Sequence, residues 1–579
     1  MEVLSMAGPR TNGNAPCPRT RKMSVIAQDP SVKDPNGRGV LTMSLDVPFE
    51  RLAPGPQGSR VHVIDYDVSN NTLYKPSRED HETDPYEDVR DRELLESDRN
   101  FHARNAYAIV MSTLARFEKA LGRRAPFSFP GGGLYAGAAP GRGHVIKVAP
   151  HAFLEPNAFY SRRDEGLFFG YFTHEKETVF SCLSHDVIAH ETTHCLLDGL
   201  RSRFMDPTSA DQAAFHEGFA DIVAILSVFE HKEVAEAAFK VKPEDGKIKA
   251  EDLQPEQLRT TFLTGLADQM GEALTKVRGS PLRNSANLEP AIDYLDRPEF
   301  KEEHRRGEVL VAAVLRSFLE VWRSRLLPIG LKEGQPIDRG RVVEEAAEAA
   351  SHLLTMVIRA IDYAPPVDVH FSDFLSALLT ADREIYPEDS KYNYRKILLE
   401  TFESYGIKRP TDDGMWDPPE TSLRCNHFDS LQRDPDEAFR FIWENHDKLN
   451  LNSDAYTYVP SVRPCIRVDV DGFILRETLV EYVQILDLKA GELPSEVKKP
   501  ESMPDSEDVR LYGGGVLVFD EFGSLKFHVG SGVASKKQSE RIEYRWERGT
   551  FHQRMNIRRF ANLHRMRILG AGANSKERW

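Results

Sequence analysis

Cysteine is scarce in this 579-residue chain. There are five, Cys17, Cys182, Cys195, Cys425 and Cys465, odd in number and widely spaced. That argues against a disulfide framework and points to a reducing compartment. No two form a Cys-x-x-Cys pair, so a thiolate zinc site is not expected. No stretch approaches eighteen consecutive apolar residues, so no transmembrane helix is expected. The start of the chain, MEVLSMAGPRTNGNAPCPRTRKMSV, lacks an apolar core and does not read as a secretory signal, so a cytoplasmic location is expected. Positive charge is in deficit, with 75 Lys and Arg against 90 Asp and Glu and a net charge of −15. Nucleic-acid binding therefore has no general electrostatic support.

What is present reads as a globular chain of two or three domains. Residues 1–45 are rich in Gly, Pro, Asn, Arg and Ser without periodicity and are expected to be a disordered tail. A first unit is expected over 46–410. It opens with the strand RVHVIDYD (60–67) and an acidic loop, and continues with a helix over 105–124, whose Ala108, Met111, Leu114, Phe117 and Leu121 recur at helical spacing. The glycine-rich GGGLYAGAAPGRG lacks the order of a phosphate loop and reads as a turn. The strands HVIKVAP, NAFYSRR and GLFFGYF follow, and from about 180 the chain reads as mostly helical. After the Pro-rich break at KRPTDDGMWDPPE the texture turns to strands, so a β-rich accessory domain is expected over 411–579. Its end is basic, about +8 over the last 45 residues, which suits a partner or the acidic body of this same chain.

The chemistry concentrates in SHDVIAHETTHCLLDGL. His190 and His194 stand four apart and share one face of a helix expected near 184–199, with Glu191 beside them. Two imidazoles so placed can hold one ion, yet a bare His-Glu-x-x-His arises by chance in a chain this long roughly 1% of the time. A catalytic zinc takes three protein ligands and keeps a position for water. HEGFADI offers the third: Glu217 and Asp221 are again one turn apart, Glu217 as carboxylate ligand and Asp221 as acceptor for the far ring nitrogen of a ligand histidine.

These residues, in order, resemble the thermolysin-like zinc metallopeptidases, the gluzincin group, over roughly 60–410. NAFY (157–160) resembles that family's active-site edge strand, VIAHETTH its zinc helix and EGFAD its Glu-x-x-x-Asp segment. LRNS (282–285) resembles the segment carrying a substrate-binding arginine, and EEHRRGEVLVAAV the helix start carrying a histidine. ALLTADREIY…ILLETFESYGI resembles its closing signature. The resemblance implies an α+β fold: a two-lobed zincin unit with a mixed α/β N-lobe and a helical C-lobe, then the accessory domain. It implies zinc on His190, His194 and Glu217, with Glu191 as general base, and Asp221 holding a ligand histidine. It also implies His304 on the oxyanion, Asn157 and the Ala158 backbone holding substrate as an added strand, and Arg283 on a substrate carbonyl.

The sequence departs from that pattern in places. No tyrosine lies between His194 and Glu217 to support the oxyanion. Asp186 matches a calcium-binding position but its partner position is Val228, so Asp186 is expected to be structural. The expected activity is endopeptidase cleavage of a peptide or protein substrate, away from membranes. The alternatives are a narrow processing protease that selects a partner through 411–579, or a non-catalytic binding protein stabilised by zinc.

Overall fold

The computed structural model describes residues 19–552 except 35–36, 38, 79–82, 130–143, 175, 240–245, 261–284, 286, 411–422 and 469–471, together with His564. The expectation of a disordered tail through residue 45 fails from residue 20 onward. Strands β1 (Thr20–Ile26) and β2 (Thr42–Pro48) pair antiparallel in register from Thr20 opposite Pro48 to Ile26 opposite Thr42. The reason lies in the residues: Met43, Leu45 and Val47 are buried while Ser44 and Asp46 are exposed, a period-two pattern inside a polar-looking segment.

A five-stranded sheet forms the first layer. Strand β3 (Val61–Val63) runs parallel to β4 (Ile146–Phe153), which runs parallel to β6 (Gly166–His174). Strand β5 (Ala158–Ser161) adds antiparallel to one end of β6, Ala158 opposite Phe169, and β7 (Glu177–Phe180) pairs with the other. The order β3-β4-β6-β5 leaves β5 as an edge among the described residues. Helix α1 (Arg99–Leu121) backs the sheet. Its Asp98 caps the Asn100 amide, and Gly122 closes it in the left-handed region that favours glycine.

Two buried helices cross at the centre. Helix α2 (His185–Leu200) is buried along nearly its whole length, and α3 (Ala210–Phe229) is buried from Asp211 to its end. Among the described residues only α3 is long and apolar enough to cross a membrane; it is wholly enclosed by the fold and carries Glu217 and Asp221. Ser209 caps α3 by accepting from the Gln212 amide at 3.1 Å. Around this pair lie α4 (Glu303–Leu326), α5 (Arg339–Ala360), α6 (Phe371–Arg383) and α7 (Tyr394–Ser404), close to the helices expected from periodicity. Gly218 of α3 and Gly307 of α4 let the two backbones approach closely. Near the end of α2, a Cβ on Gly199 would run into the Pro126 carbonyl oxygen, a backbone atom that cannot swing away. Gly199→Ala is therefore expected to lower stability by about 1–3 kcal/mol, seen as an earlier thermal unfolding transition.

The C-terminal region is an antiparallel meander of β8 (Tyr456–Val468), β9 (Ile474–Lys489), β10 (Asp508–Phe519) and β11 (Leu525–Ser531). Helices at Pro435–Glu444 and Lys536–Glu547 accompany it. The sheet is covered on both faces. Leu479, Val516, Val518 and Phe527 join the same core as α2, while Val480, Leu517 and Phe519 pack with Leu431, Phe441 and Ile442.

A buried ionic network ties this sheet to the end of α2. Asp362 accepts two bonds from Arg123 at 2.6 Å and one from Arg467 at 2.5 Å. Arg467 also donates to Glu477 at 2.5 Å, which accepts from Tyr363 at 2.7 Å and Lys526 at 3.0 Å. Arg201, the residue after α2, reaches Glu481 at 2.9 Å.

Candidate metal centre

Four side chains converge where α2, α3 and β5 meet. Ligand atoms of His190, His194, Glu217 and His564 all lie within 4.8 Å of one another, and all four residues are buried. The histidines of α2 share one face because they are four apart. Glu217 faces them from α3, with one oxygen 3.5 Å from His190 Nε2 and the other 3.3 Å from His194 Nε2. Ligands bound at 2.0–2.1 Å to one tetrahedral ion stand roughly 3.3 Å apart, so these separations fit a shared cation.

The far nitrogens are held as a metal ligand's must be. His190 Nδ1 meets Asp221 at 2.8 Å, the pairing expected from the sequence. His194 Nδ1 meets His216 Nδ1 at 2.9 Å, a partner that sequence reasoning missed although it sits beside Glu217. Burial pulls the His194 ring down to about 3, so it is neutral, the form that binds metal. Burial alone would raise the Glu217 carboxyl, but His564 and His194 hold it well below the ordinary range. Burial would likewise lower His564, yet the Glu191 and Glu217 carboxylates push it up to about 9 in the metal-free chain. Asp221→Asn is expected to weaken metal binding about 10–100-fold, measured by competition with a coloured chelator.

Glu191 is aimed by the edge strand. Its Oε2 accepts the Tyr160 amide at 3.0 Å, and its Oε1 lies 3.5 Å from His564 Nδ1. Two turns along α2, buried Asp198 accepts the Tyr160 hydroxyl at 2.7 Å and pairs with Arg162 through both of its oxygens. Burial and the adjacent Asp198 push the Tyr160 phenol well up, so it stays a donor. Asp198 thus fixes β5 against α2; its only sequence signal is the seven-residue spacing from Glu191. Asn157 is buried at the start of β5, and its carbonyl accepts the Gly170 amide at 2.8 Å. The Ala158 carbonyl accepts from His564 Nδ1 at 2.7 Å.

Other expected residues are placed differently. His304 lies in the first turn of α4, one turn before Gly307, and pairs with Glu302 at 2.8 Å; it gives no ligand atom to the group. Arg283 lies outside the described residues. Asp186 accepts from Ser184 Oγ and from the Val187 amide, at the start of α2. Cys182 and Cys195 are buried, and burial pushes both thiols well up, away from reactivity. The basic helix α8 (Lys536–Glu547) faces acids of this same chain: Lys537 reaches Asp373 at 2.5 Å, Arg541 reaches Asp368 at 2.9 Å, and Arg545 reaches Asp206 at 3.2 Å.

No protein-family model matches the chain, and no curated protein was found to be similar to it. The fold and site define the class that can be stated: an α+β protein whose central helix pair carries a buried histidine–glutamate group able to hold a metal ion.

Proposed function

We propose that the chain is a zinc metallopeptidase, with residues 46–410 forming a thermolysin-like two-lobed unit. The observation that carries this reading is the His190–His194–Glu217 group with Glu191 oriented beside it by the Tyr160 amide. His190, His194 and Glu217 would hold the ion. Bound zinc supplies a Lewis acid that polarises the scissile carbonyl and acidifies water. The protein's own residues do the rest. Glu191, one oxygen pinned, takes a proton from the attacking water on its other oxygen and returns it to the leaving amine. The β5 edge offers backbone groups to a substrate lying as an added strand, with Asn157 and Ala158 at its start. His304, in the first turn of the helix whose Gly307 meets Gly218 of α3, is the candidate for the oxyanion role. A cytoplasmic endopeptidase is the form this takes, with 411–579 available to select a protein partner.

A second reading has one observation in its favour. Structural zinc sites are closed by four protein ligands, and His564 makes four here. A zinc-stabilised binding protein would have that set and no use for Glu191. The test pairs metal analysis with hydrolysis of a mixed peptide library by wild type and His564→Ala. About one zinc per chain is expected, with cleavage that a chelator abolishes and added zinc restores. A chain without stoichiometric zinc, or zinc-loaded chains that both cleave nothing, would remove the peptidase reading.

A further inference from the structure

His564 belongs to no part of the sequence pattern that singles out the site, yet it is buried inside it. It lies 347 positions beyond Glu217 and 406 beyond Ala158. Its two ring nitrogens do different things. Nδ1 meets the Ala158 carbonyl oxygen at 2.7 Å. Nε2 points the other way, to 3.3 Å from Glu217 Oε1, within the group formed by His190 and His194. An imidazole whose Nδ1–H is spent on a backbone carbonyl has its Nε2 lone pair fixed toward the ion, the usual way a ligand histidine is oriented. The ring stacks near His194, centroids 5.7 Å apart, and stands equally far from His190.

We infer that His564 is a fourth protein ligand of the metal, occupying both the place of the attacking water and the first hydrogen-bonding place on the substrate edge, so that the resting chain is masked. This rests on the peptidase reading of the site. The Ala158 carbonyl is one of the groups an added substrate strand would use, and Glu191 Oε1, the oxygen left to act as base, faces His564 Nδ1 at 3.5 Å. One side chain therefore covers the three things a peptide needs: the ion, the base and the edge. The approach is supported from outside the site as well. The ion pairs of Lys537, Arg541 and Arg545 with Asp373, Asp368 and Asp206 hold α8 on the body, Asp206 lying just before α3. Unmasking would be a ligand exchange in which His564 gives up its place to water, freeing the Ala158 carbonyl for a substrate amide. The site is thereby selective for substrates or partners able to displace an internal imidazole.

The test uses the full chain loaded with cobalt(II), whose visible absorption reports the number and kind of ligands without requiring turnover. Wild type and His564→Ala are compared with and without acetohydroxamate, a small chelating ligand. The wild-type spectrum is expected to ignore acetohydroxamate. The variant's spectrum is expected to differ, to shift on adding acetohydroxamate, and to return toward wild type with free imidazole. Zinc-loaded His564→Ala is expected to cleave peptides about tenfold or more faster than wild type, because the competent fraction sets the rate. A wild-type spectrum that responds to acetohydroxamate as readily as the variant's overturns the masking role and leaves the peptidase reading standing; this needs no variant to fold. Hydrolysis lost in His564→Ala with an unchanged cobalt spectrum also overturns it, by assigning His564 to the reacting peptide. A chain that binds neither cobalt nor zinc overturns both readings together.

Discussion

Glu191→Gln is expected to lower peptide hydrolysis by about 10²–10⁴-fold while bound zinc stays at the wild-type level. The substitution keeps the shape of the side chain and one carbonyl oxygen that can still accept the Tyr160 amide, so the contact between β5 and α2 survives. What it removes is the proton acceptor. Glu191 is not one of the four residues whose ligand atoms cluster, so the donor set is intact. The measurement is kcat/KM on one peptide, made in the His564→Ala background for both chains, with metal content determined on the same samples. Unchanged hydrolysis would remove Glu191 from the chemistry. Loss of zinc together with hydrolysis would make its role structural.

The second large effect is away from the site. Asp362→Ala is expected to destabilise the protein by about 3–5 kcal/mol, because it takes the paired carboxylate from buried Arg123 and one of two from buried Arg467. Arg467 is 1% exposed on its side chain and Arg123 8%, so water cannot take over readily. Urea unfolding followed by circular dichroism should show the shift in midpoint. The pH dependence has a definite sign. Burial alone would raise the Asp362 carboxyl, but Arg123 and Arg467 overcome it and hold the group well below the usual range. A depressed folded-state pKa contributes stability that is present above the unfolded value of about 3.9 and is lost as pH falls below it. The gap between wild type and variant should therefore be constant near neutrality and close in strong acid. A gap unchanged in acid would place the loss in packing rather than charge.

The same network bears on dissecting the chain. Arg201, at the end of the zinc-helix candidate, has its guanidinium bound to Glu481 and to the Ile361 carbonyl. Removing 411–579 would strip partners from Arg201 and Arg467's neighbours at once, so a truncation designed to separate catalysis from partner selection would also unseat α2. Point substitutions on the outer surface of the meander are the cleaner probe.

Legibility from sequence followed the range of the interactions. The His190–His194 pair and Glu217 with Asp221 could be read because each pair is fixed by one turn of one helix. The β2 strand was equally visible in Met43, Leu45 and Val47, but composition over a longer window hid it. Helices in the core announced themselves by periodicity. His564 left no signal, since no local pattern marks a residue that must cross 347 positions to meet Glu217. His216 and Asp198 were faint for a related reason: each matters through a contact made in space, His216 to His194 and Asp198 to Tyr160 and Arg162.

The long separation also sets an order in time. A ribosome adds about 5–20 residues per second, and N-terminal units fold first. Glu217 therefore leaves the ribosome on the order of tens of seconds before His564. The meander that packs on α2 is complete at Ser531, so the core can close while His564 is still to come. On the masking reading, the fourth ligand would then reach the group last. Metal acquisition and silencing would then be separate events in the making of one molecule, kept apart by the order of the sequence.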